Sequence, residues 1–249
     1  MILVDSVMMT VPRPDGAIAY VFSSVAAYES AFLLERCPLR LAVGIPETGW
    51  LDRLVHSHIE RLPMPPMLWE LCKNEGPHRR LMCNFYRVLS LPLPEGAIGR
   101  LILEDDVKFA PECDQKLLET LGEIPQRITK YALALYCSQD LMANPKRRRG
   151  PHLCDYPPGS FYGGQGLFIS AALLPEMAAW VLRHGIELRD ATNDLQVNHM
   201  LKAEGVRKGP ARLFAVQPNI VQHTGKVTTG VGRWHCSPTF GRPWSAGRA

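Results

Sequence analysis

Residues 99–109, GRLILEDDVKF, constrain the chain more than any other stretch, because an apolar run ends abruptly in three consecutive carboxylates. Leu101, Ile102 and Leu103 follow one another without a polar interruption. Such a run fits a strand buried on both faces, as in a parallel sheet. In open α/β sheets ligands bind beyond the carboxyl ends of the strands, so Glu104, Asp105 and Asp106 fall where a site is expected. Three adjacent acids repel one another unless a cation, a nucleotide hydroxyl or a basic side chain lies between them. Their hard oxygens suit Mn²⁺ or Mg²⁺, whose remaining positions are commonly filled by phosphate and water. A solvated turn after a core strand would satisfy the same pattern.

The flanking segments alternate in the α/β manner. Residues 17–22, AIAYVF, read as a first strand followed by Ser23-Ser24, and VAAYESAFLLERC reads as a helix stopped by Pro38. LRLAVG at 39–44 is a second strand. This β-α-β opening predicts a mostly parallel central sheet flanked by helices. No G-x-G-x-x-G follows the first strand, which removes the main support for a dinucleotide-binding Rossmann domain. Residues 45–75 are rich in Pro, His and Met, with PMPP at 63–66 as a rigid turn.

A helix is expected over 78–91, where Arg79, Arg80 and Arg87 either reach a diphosphate from its rim or are solvated face charges. Further along come a helix over 113–121, a strand over 131–137, the segment GSFYGGQGLFIS at 159–170 and a helix over 171–184. Gly163 and Gly164 would let a ligand approach the backbone closely, or simply make a turn. Another helix starts near Asn193-Asp194, with Asn193 as N-cap and Gln196 three residues on. A strand at 212–216, then PNIVQHT at 218–224, precede a Gly-, Ser-, Thr-, Trp- and Arg-rich tail over 226–249, expected to be flexible. With no repeat and no clear linker, a single domain over 1–249 is expected, its core at about 17–225.

Composition narrows the classes. At 46% hydrophobic and 21% charged residues the chain is ordinary for a soluble globular protein. Its net charge of +4 suits anionic ligands without requiring nucleic acid. The basic run Lys146-Arg147-Arg148-Arg149 has no interleaved aromatics, so a solvated or phosphate-attracting loop fits it better than a nucleic-acid surface. Seven cysteines, an odd number without a C-x-x-C pair, indicate neither a disulfide framework nor a zinc knuckle. A reducing, cytoplasmic location is expected, with peripheral attachment at a membrane left open. The N-terminus lacks the marks of a signal peptide, and no run is long enough to span a membrane.

Taken in order, the strand with E-D-D, the Gly-Gly strand and helix, N-D-x-x-x-N and P-x-x-V-Q-H resemble GT-A-type nucleotide-sugar glycosyltransferases. The likeness is greatest to bacterial lipooligosaccharide transferases of family 25 and to N-acetylglucosaminyltransferase IV-like enzymes. The resemblance covers about residues 17–225 and implies a single GT-A-like domain. It also implies a metal-dependent transfer from a nucleotide-diphosphate donor, a UDP-sugar, to a hydroxyl acceptor such as a glycan or glycolipid, with inversion. On this basis Asp106 and His223 would hold Mn²⁺ or Mg²⁺. Glu104 and Asp105 would contact the ribose or orient the site, with Ser23, Ser24, Arg79, Gly163 and Gly164 lining the donor. Asp194 would be the base that deprotonates the acceptor, and Asp190 a weaker substitute.

Each residue also has a plainer explanation. A histidine after an apolar strand is often just hydrogen-bonded, and an aspartate in a first helical turn stabilises the helix through its dipole. The segment after the acidic motif is short, the basic loop is unfamiliar for the family, and the tail carries no acceptor signature. The competing function is a non-catalytic nucleotide-sugar-binding protein of the same fold. A phosphoryl-transfer protein is disfavoured by the absence of G-x-x-x-x-G-K-[ST] and of an early aspartate nucleophile.

Overall fold

The computed structural model describes residues 3–12, 18–52, 54, 59–157, 159–186, 192–207, 212–225 and 236–244. Its first third comprises β1 (Asp5–Thr10), α1 (Ile18–Ala31), β2 (Leu39–Val43), β3 (Glu60–Leu62), α2 (Pro66–Cys72) and α3 (Pro77–Ser90). Then come β4 (Gly99–Glu104), β5 (Val107–Phe109), α4 (Cys113–Gly122), β6 (Tyr131–Ala134), β7 (Leu153–Asp155) and β8 (Gly166–Ser170). The last elements are α5 (Leu174–Trp180), α6 (Asn193–Arg207), β9 (Arg212–Val216) and β10 (Val221–His223).

Eight strands form one mixed sheet in the order β3-β2-β1-β4-β8-β6-β9-β7, and β5 pairs with β10 in a small antiparallel ribbon. Strands β3, β2, β1, β4, β6 and β9 run one way, while β8 and β7 oppose them. The sheet is buried on both sides, as the LIL run requires. Met8, Leu101 and Leu103 pack with Val25 and Tyr28 of α1 and Leu117 of α4. Val7, Met9 and Ile102 turn the other way, towards Phe85 of α3, Met177 of α5 and Val197 of α6. The order reverses at β1, from which the chain first adds β2 and β3 on one side and then β4 on the other. The carboxyl ends of β1 and β4 therefore flank the crevice where such sheets bind ligands.

Of the strand expected over 17–22, residues 18–22 are instead the first part of α1, and residue 17 lies outside the described residues. Within that helix Val21, Ser24, Val25, Tyr28 and Ala31 are buried at intervals of three, one, three and three, a single helical face. A short apolar run does not by itself separate a buried helix from a strand, and here the run is continuous with the helix that follows. The first strand is DSVMMT, whose six residues are all buried. Its opening Asp5 and Ser6 conceal it in the sequence. Buried Asp5 accepts hydrogen bonds from Arg100 Nε of β4 at 2.6 Å and from Arg40 Nη2 of β2 at 2.7 Å. Ser6 Oγ accepts from the Tyr28 hydroxyl at 2.7 Å. α6 also differs by one residue from expectation. Asn193 is its first residue, and the Gln196 N–H bonds back to the Thr192 carbonyl at 3.0 Å.

Of the tail expected to be flexible, residues 236–244 are described, and they are seated on the domain. The Ser237 N–H donates to Gln222 Oε1 and the Asn219 N–H to Thr239 Oγ1, each at 3.0 Å. Trp244 stacks on His152 with ring centroids 3.7 Å apart and donates to Glu119. Residues 226–235 and 245–249 lie outside the described residues, as does Asp190.

Candidate metal centre and active site

The acidic turn sits beyond β4 and is held by contacts from several parts of the chain. Thr10, the last residue of β1, donates its hydroxyl to Asp105 Oδ2 at 2.6 Å. A hydrogen bond to a charged group is worth about 1.5–3 kcal/mol, so this contact ties the turn firmly to the neighbouring strand. Ser24 Oγ of α1 accepts from the Val107 N–H at 2.9 Å, and its single proton faces the carbonyls of Val107 (2.8 Å) and Asp105 (3.0 Å). Behind the turn Phe109 packs edge-on against Tyr28 and Phe32, with centroids at 5.6 and 5.3 Å. Ser24 is thus committed to the backbone of the turn, while its neighbour Ser23 is exposed.

The ribbon of β5 and β10 brings the C-terminal part of the chain onto this turn. Val107 pairs with His223, and Thr224 donates both its N–H and its hydroxyl to the Asp106 carbonyl at 2.8 Å. His223 Nε2 consequently lies 3.2 Å from Asp106 Oδ2. Glu104, Asp106 and His223 each offer one donor atom, and all three atoms lie within 4.8 Å of one another. Two ligands at right angles on a cation with bonds of about 2.1 Å are about 3 Å apart, so the Asp106–His223 separation fits adjacent positions on one ion. Two carboxylates and an imidazole suit a divalent cation.

Gly225 completes the cradle. A Cβ built there would stand 2.1 Å from Asp106 Oδ2 and 2.9 Å from His223 Nε2, so a side chain would occupy the donor positions.

The Gly-Gly segment links this cluster to Asp194. Gly163 adopts φ +145°, and a Cβ there would strike the Tyr136 ring at 2.8 Å. A Cβ at Gly164 would meet the Asn193 amide at 2.3 Å. The two glycines let the chain press against Tyr136 and the start of α6. The Gly163 N–H points at Asp194 Oδ2 at 3.4 Å, and Asp194 Oδ1 accepts from the Thr192 hydroxyl. Two residues further on, the Glu104 N–H donates to the Gln165 carbonyl at 3.2 Å. Residues 163–165 therefore run directly from Asp194 to the acidic turn.

Tyr162 stands 40% exposed beside them. Burial, and then the charges of Asp194 and Glu104, raise its phenol above the ordinary value. Both carboxylates lie within electrostatic reach of that one hydroxyl, so Tyr162 is near Asp194 and Glu104 alike.

The arginines behave differently from one another. Arg79 is half-buried in the first turn of α3. Arg87 is buried, and its Nη1 donates to the Pro63 carbonyl. Burial lowers its pKa to about 10, and it is not available at the rim of the cleft. Thr10, Thr224, Gly225 and Tyr162 were not singled out by sequence reasoning. The one local signal among them is a glycine two residues beyond the candidate ligand histidine.

No protein-family model matches the chain, and no curated protein matches it in sequence. Solved structures do resemble it in fold. S. aureus TarS 1–349 aligns with a TM-score of 0.53 at 8% identity, over 88% of this chain and 59% of that one. The galactosyltransferase LgtC, in complex with donor and acceptor sugar analogs, aligns with a TM-score of 0.47 at 13% identity, over 84% and 72%. A 4-diphosphocytidyl-2C-methyl-D-erythritol synthase from Anaerococcus prevotii gives 0.47 at 10% identity, over 90% and 94%.

The fold is GT-A-like, a large mixed sheet flanked by helices, and is similar to that of S. aureus TarS 1–349. An acidic cluster lies at the carboxyl end of its central strands.

Proposed function

We propose that the protein is a metal-dependent glycosyltransferase that moves a sugar from a UDP-sugar to a hydroxyl of a glycan or glycolipid, with inversion. The observation that carries this reading is the convergence of Glu104, Asp106 and His223 donor atoms within 4.8 Å at the carboxyl end of β4 in a GT-A-like fold. A divalent cation bound there supplies charge neutralisation for a diphosphate leaving group.

The chain's own residues divide the remaining work. Glu104, Asp106 and His223 hold the cation, and Asp105 fixes the turn through Thr10. Ser24 keeps the backbone of the turn in place, and exposed Ser23 meets the nucleotide. Arg79 contributes positive charge from the rim, and Gly163 and Gly164 keep the floor of the cleft close to the donor. Asp194 accepts the proton of the acceptor hydroxyl as its oxygen bonds to the anomeric carbon. The carbon–oxygen bond to the diphosphate breaks, and its electron pair leaves with UDP. The buried, unpaired cysteines agree with a reducing cytosol.

Calorimetric titration of UDP with and without Mn²⁺, followed by a turnover screen over UDP- and GDP-sugars, tests the proposal. Metal-dependent binding with turnover is expected. Binding without any turnover would favour the non-catalytic alternative, and no metal-dependent binding would refute the site.

A further inference from the structure

Two prominent surface features play no part in the transfer chemistry, and both lie on the sheet edge that carries the cleft. The first is the projection that leaves the carboxyl end of β3, with the Met64 N–H bonded to the Ile45 carbonyl just past β2. Pro63, Pro65 and Pro66 are exposed there. In α2, Met67 is 77% and Leu71 50% exposed, four residues apart and so on one helical face.

The second is the basic loop between β6 and β7. Leu153 of β7 pairs with Val216 at the carboxyl end of β9, and the Gln217 N–H bonds to the His152 carbonyl, which places the loop at the same edge. The loop is braced rather than trailing. Asn144 Oδ1 accepts from the Lys146 N–H, and the Glu123 carboxylate accepts from the His152 and Leu153 N–H groups. Arg149 pairs with Asp155, Arg242 with Asp140, and the Arg148 guanidinium holds the Met142 carbonyl. Lys146 and Arg147 have no carboxylate partner among the described residues.

Strands about 4.8 Å apart put β3 and β7, at opposite ends of the eight-stranded sheet, roughly 34 Å from each other along it, with the acidic turn between them. One end presents apolar side chains and the other unpaired cations. This is the two-signal combination that holds proteins on membranes carrying anionic lipid, where a single signal gives only marginal attachment. On the apolar projection itself charge is nearly balanced, Glu70 being paired with Lys73 and Glu75 lying close by, so the electrostatic attraction comes from the loop.

We propose that the carboxyl edge of the sheet docks on an anionic bilayer, α2 inserting Met67 and Leu71 while Lys146 and Arg147 meet lipid phosphates. The cleft would then face the lipid surface. The proposal goes beyond the transfer reading and does not depend on it.

Co-sedimentation of the full chain with vesicles tests it, using phosphatidylcholine alone and phosphatidylcholine mixed with phosphatidylglycerol. The wild type should sediment with the mixed vesicles and progressively less as salt rises. The double variants Met67→Ser/Leu71→Ser and Lys146→Gln/Arg147→Gln should each lower partitioning about tenfold. Mn²⁺-dependent UDP binding, measured separately, should be unchanged in both, so that failure of one idea is distinguishable from failure of the other. No sedimentation of the wild type, or variants that partition like it, would overturn the docking face. So would a concentration-dependent dimer abolished by Met67→Ser/Leu71→Ser, which would make α2 a contact between copies.

Discussion

His223 Nε2 and Asp106 Oδ2 lie 3.2 Å apart although 117 residues separate them in the chain. The pair forms because β10 adds to β5 in antiparallel register, with His223 opposite Val107, so the ribbon returns the histidine to the residue beside the aspartate. Thr224 then fastens the turn through two hydrogen bonds to the Asp106 carbonyl. Each of these contacts sets the position of a donor atom, and Glu104 completes the set from the end of β4.

Asp106→Asn removes one anionic donor while keeping shape and hydrogen-bonding capacity. The turn is held by Ser24, Thr10 and Thr224 through groups other than the Asp106 carboxylate, so the fold should survive. Mn²⁺-dependent UDP affinity should fall at least about tenfold, and His223→Ala should weaken metal and nucleotide binding together. Titration calorimetry checks both, and undiminished Mn²⁺-dependent affinity in Asp106→Asn would remove this aspartate from the site.

Gly225→Ala tests the cradle without touching a ligand. Its methyl group would lie 2.1 Å from Asp106 Oδ2, inside van der Waals contact, so the carboxylate must swing away. Metal-dependent binding should drop while the thermal midpoint changes by only a few degrees. Wild-type Mn²⁺ affinity in this variant would show that Asp106 does not need its present rotamer.

Asp194→Asn should cut turnover by about 10²–10⁴, the range typical of general-base assistance, with little effect on donor affinity. The amide can still accept from the Gly163 N–H, so the Gly-Gly segment keeps its support. A steady-state comparison of kcat with UDP binding checks this, and normal turnover would end the assignment.

The parts of the fold that were legible in the sequence are those specified by adjacent residues. The LIL run and its three acids gave both a doubly buried strand and the acidic turn at its end, since burial pattern and charge are local. β1 was not legible. Its Asp5 looks like a surface residue until the guanidinium groups of Arg40 and Arg100 arrive from two other strands, and that pairing exists only in the folded sheet. AIAYVF misled because its helical period shows only when it is joined to the residues after it.

At the site, Asp106 and His223 could be named together only through the ordered family-like motifs, because no spacing rule brings residue 223 to residue 106. Thr10 and Gly225 act by reaching across strands and by leaving room, roles that depend on tertiary neighbours.

The cysteines permit a prediction about pH. Burial pushes the thiols of Cys37, Cys72 and Cys154 up to about 12 from the usual 9. Between these values the unfolded chain has released protons that the folded chain still holds, so ΔG of unfolding falls as pH rises. The contribution is fully present below about pH 9 and is lost progressively towards pH 12. Urea titrations at increasing alkaline pH should show the loss. At neutral pH a thiol reagent should modify Cys236, the one exposed cysteine among those described, and leave the buried six unreacted. Rapid reaction of several thiols in the native protein would contradict that burial.

At the other edge of the sheet charge serves the fold alone. Arg100 is fully buried, and its guanidinium is shared between Asp5 and the carbonyls of Val88 and Pro92. Burial lowers its pKa while the Asp5 carboxylate opposes that shift, so Asp5 is the counter-charge of this buried guanidinium. Asp5→Ala strips the carboxylate from two arginines at once and leaves Arg100 buried without a counter-charge. Breaking a buried pair by removing one partner typically costs about 3–5 kcal/mol, a large share of the stability of an ordinary domain. The urea midpoint should fall accordingly. Asp5→Asn, which keeps an acceptor oxygen, should lose less. Asp5 lies at the amino end of β1 and the acidic turn beyond the carboxyl end of β4, so Mn²⁺-dependent UDP affinity of the folded fraction should stay at the wild-type value. A stable Asp5→Ala protein with weakened metal binding would reverse the assignment of this residue from scaffold to site.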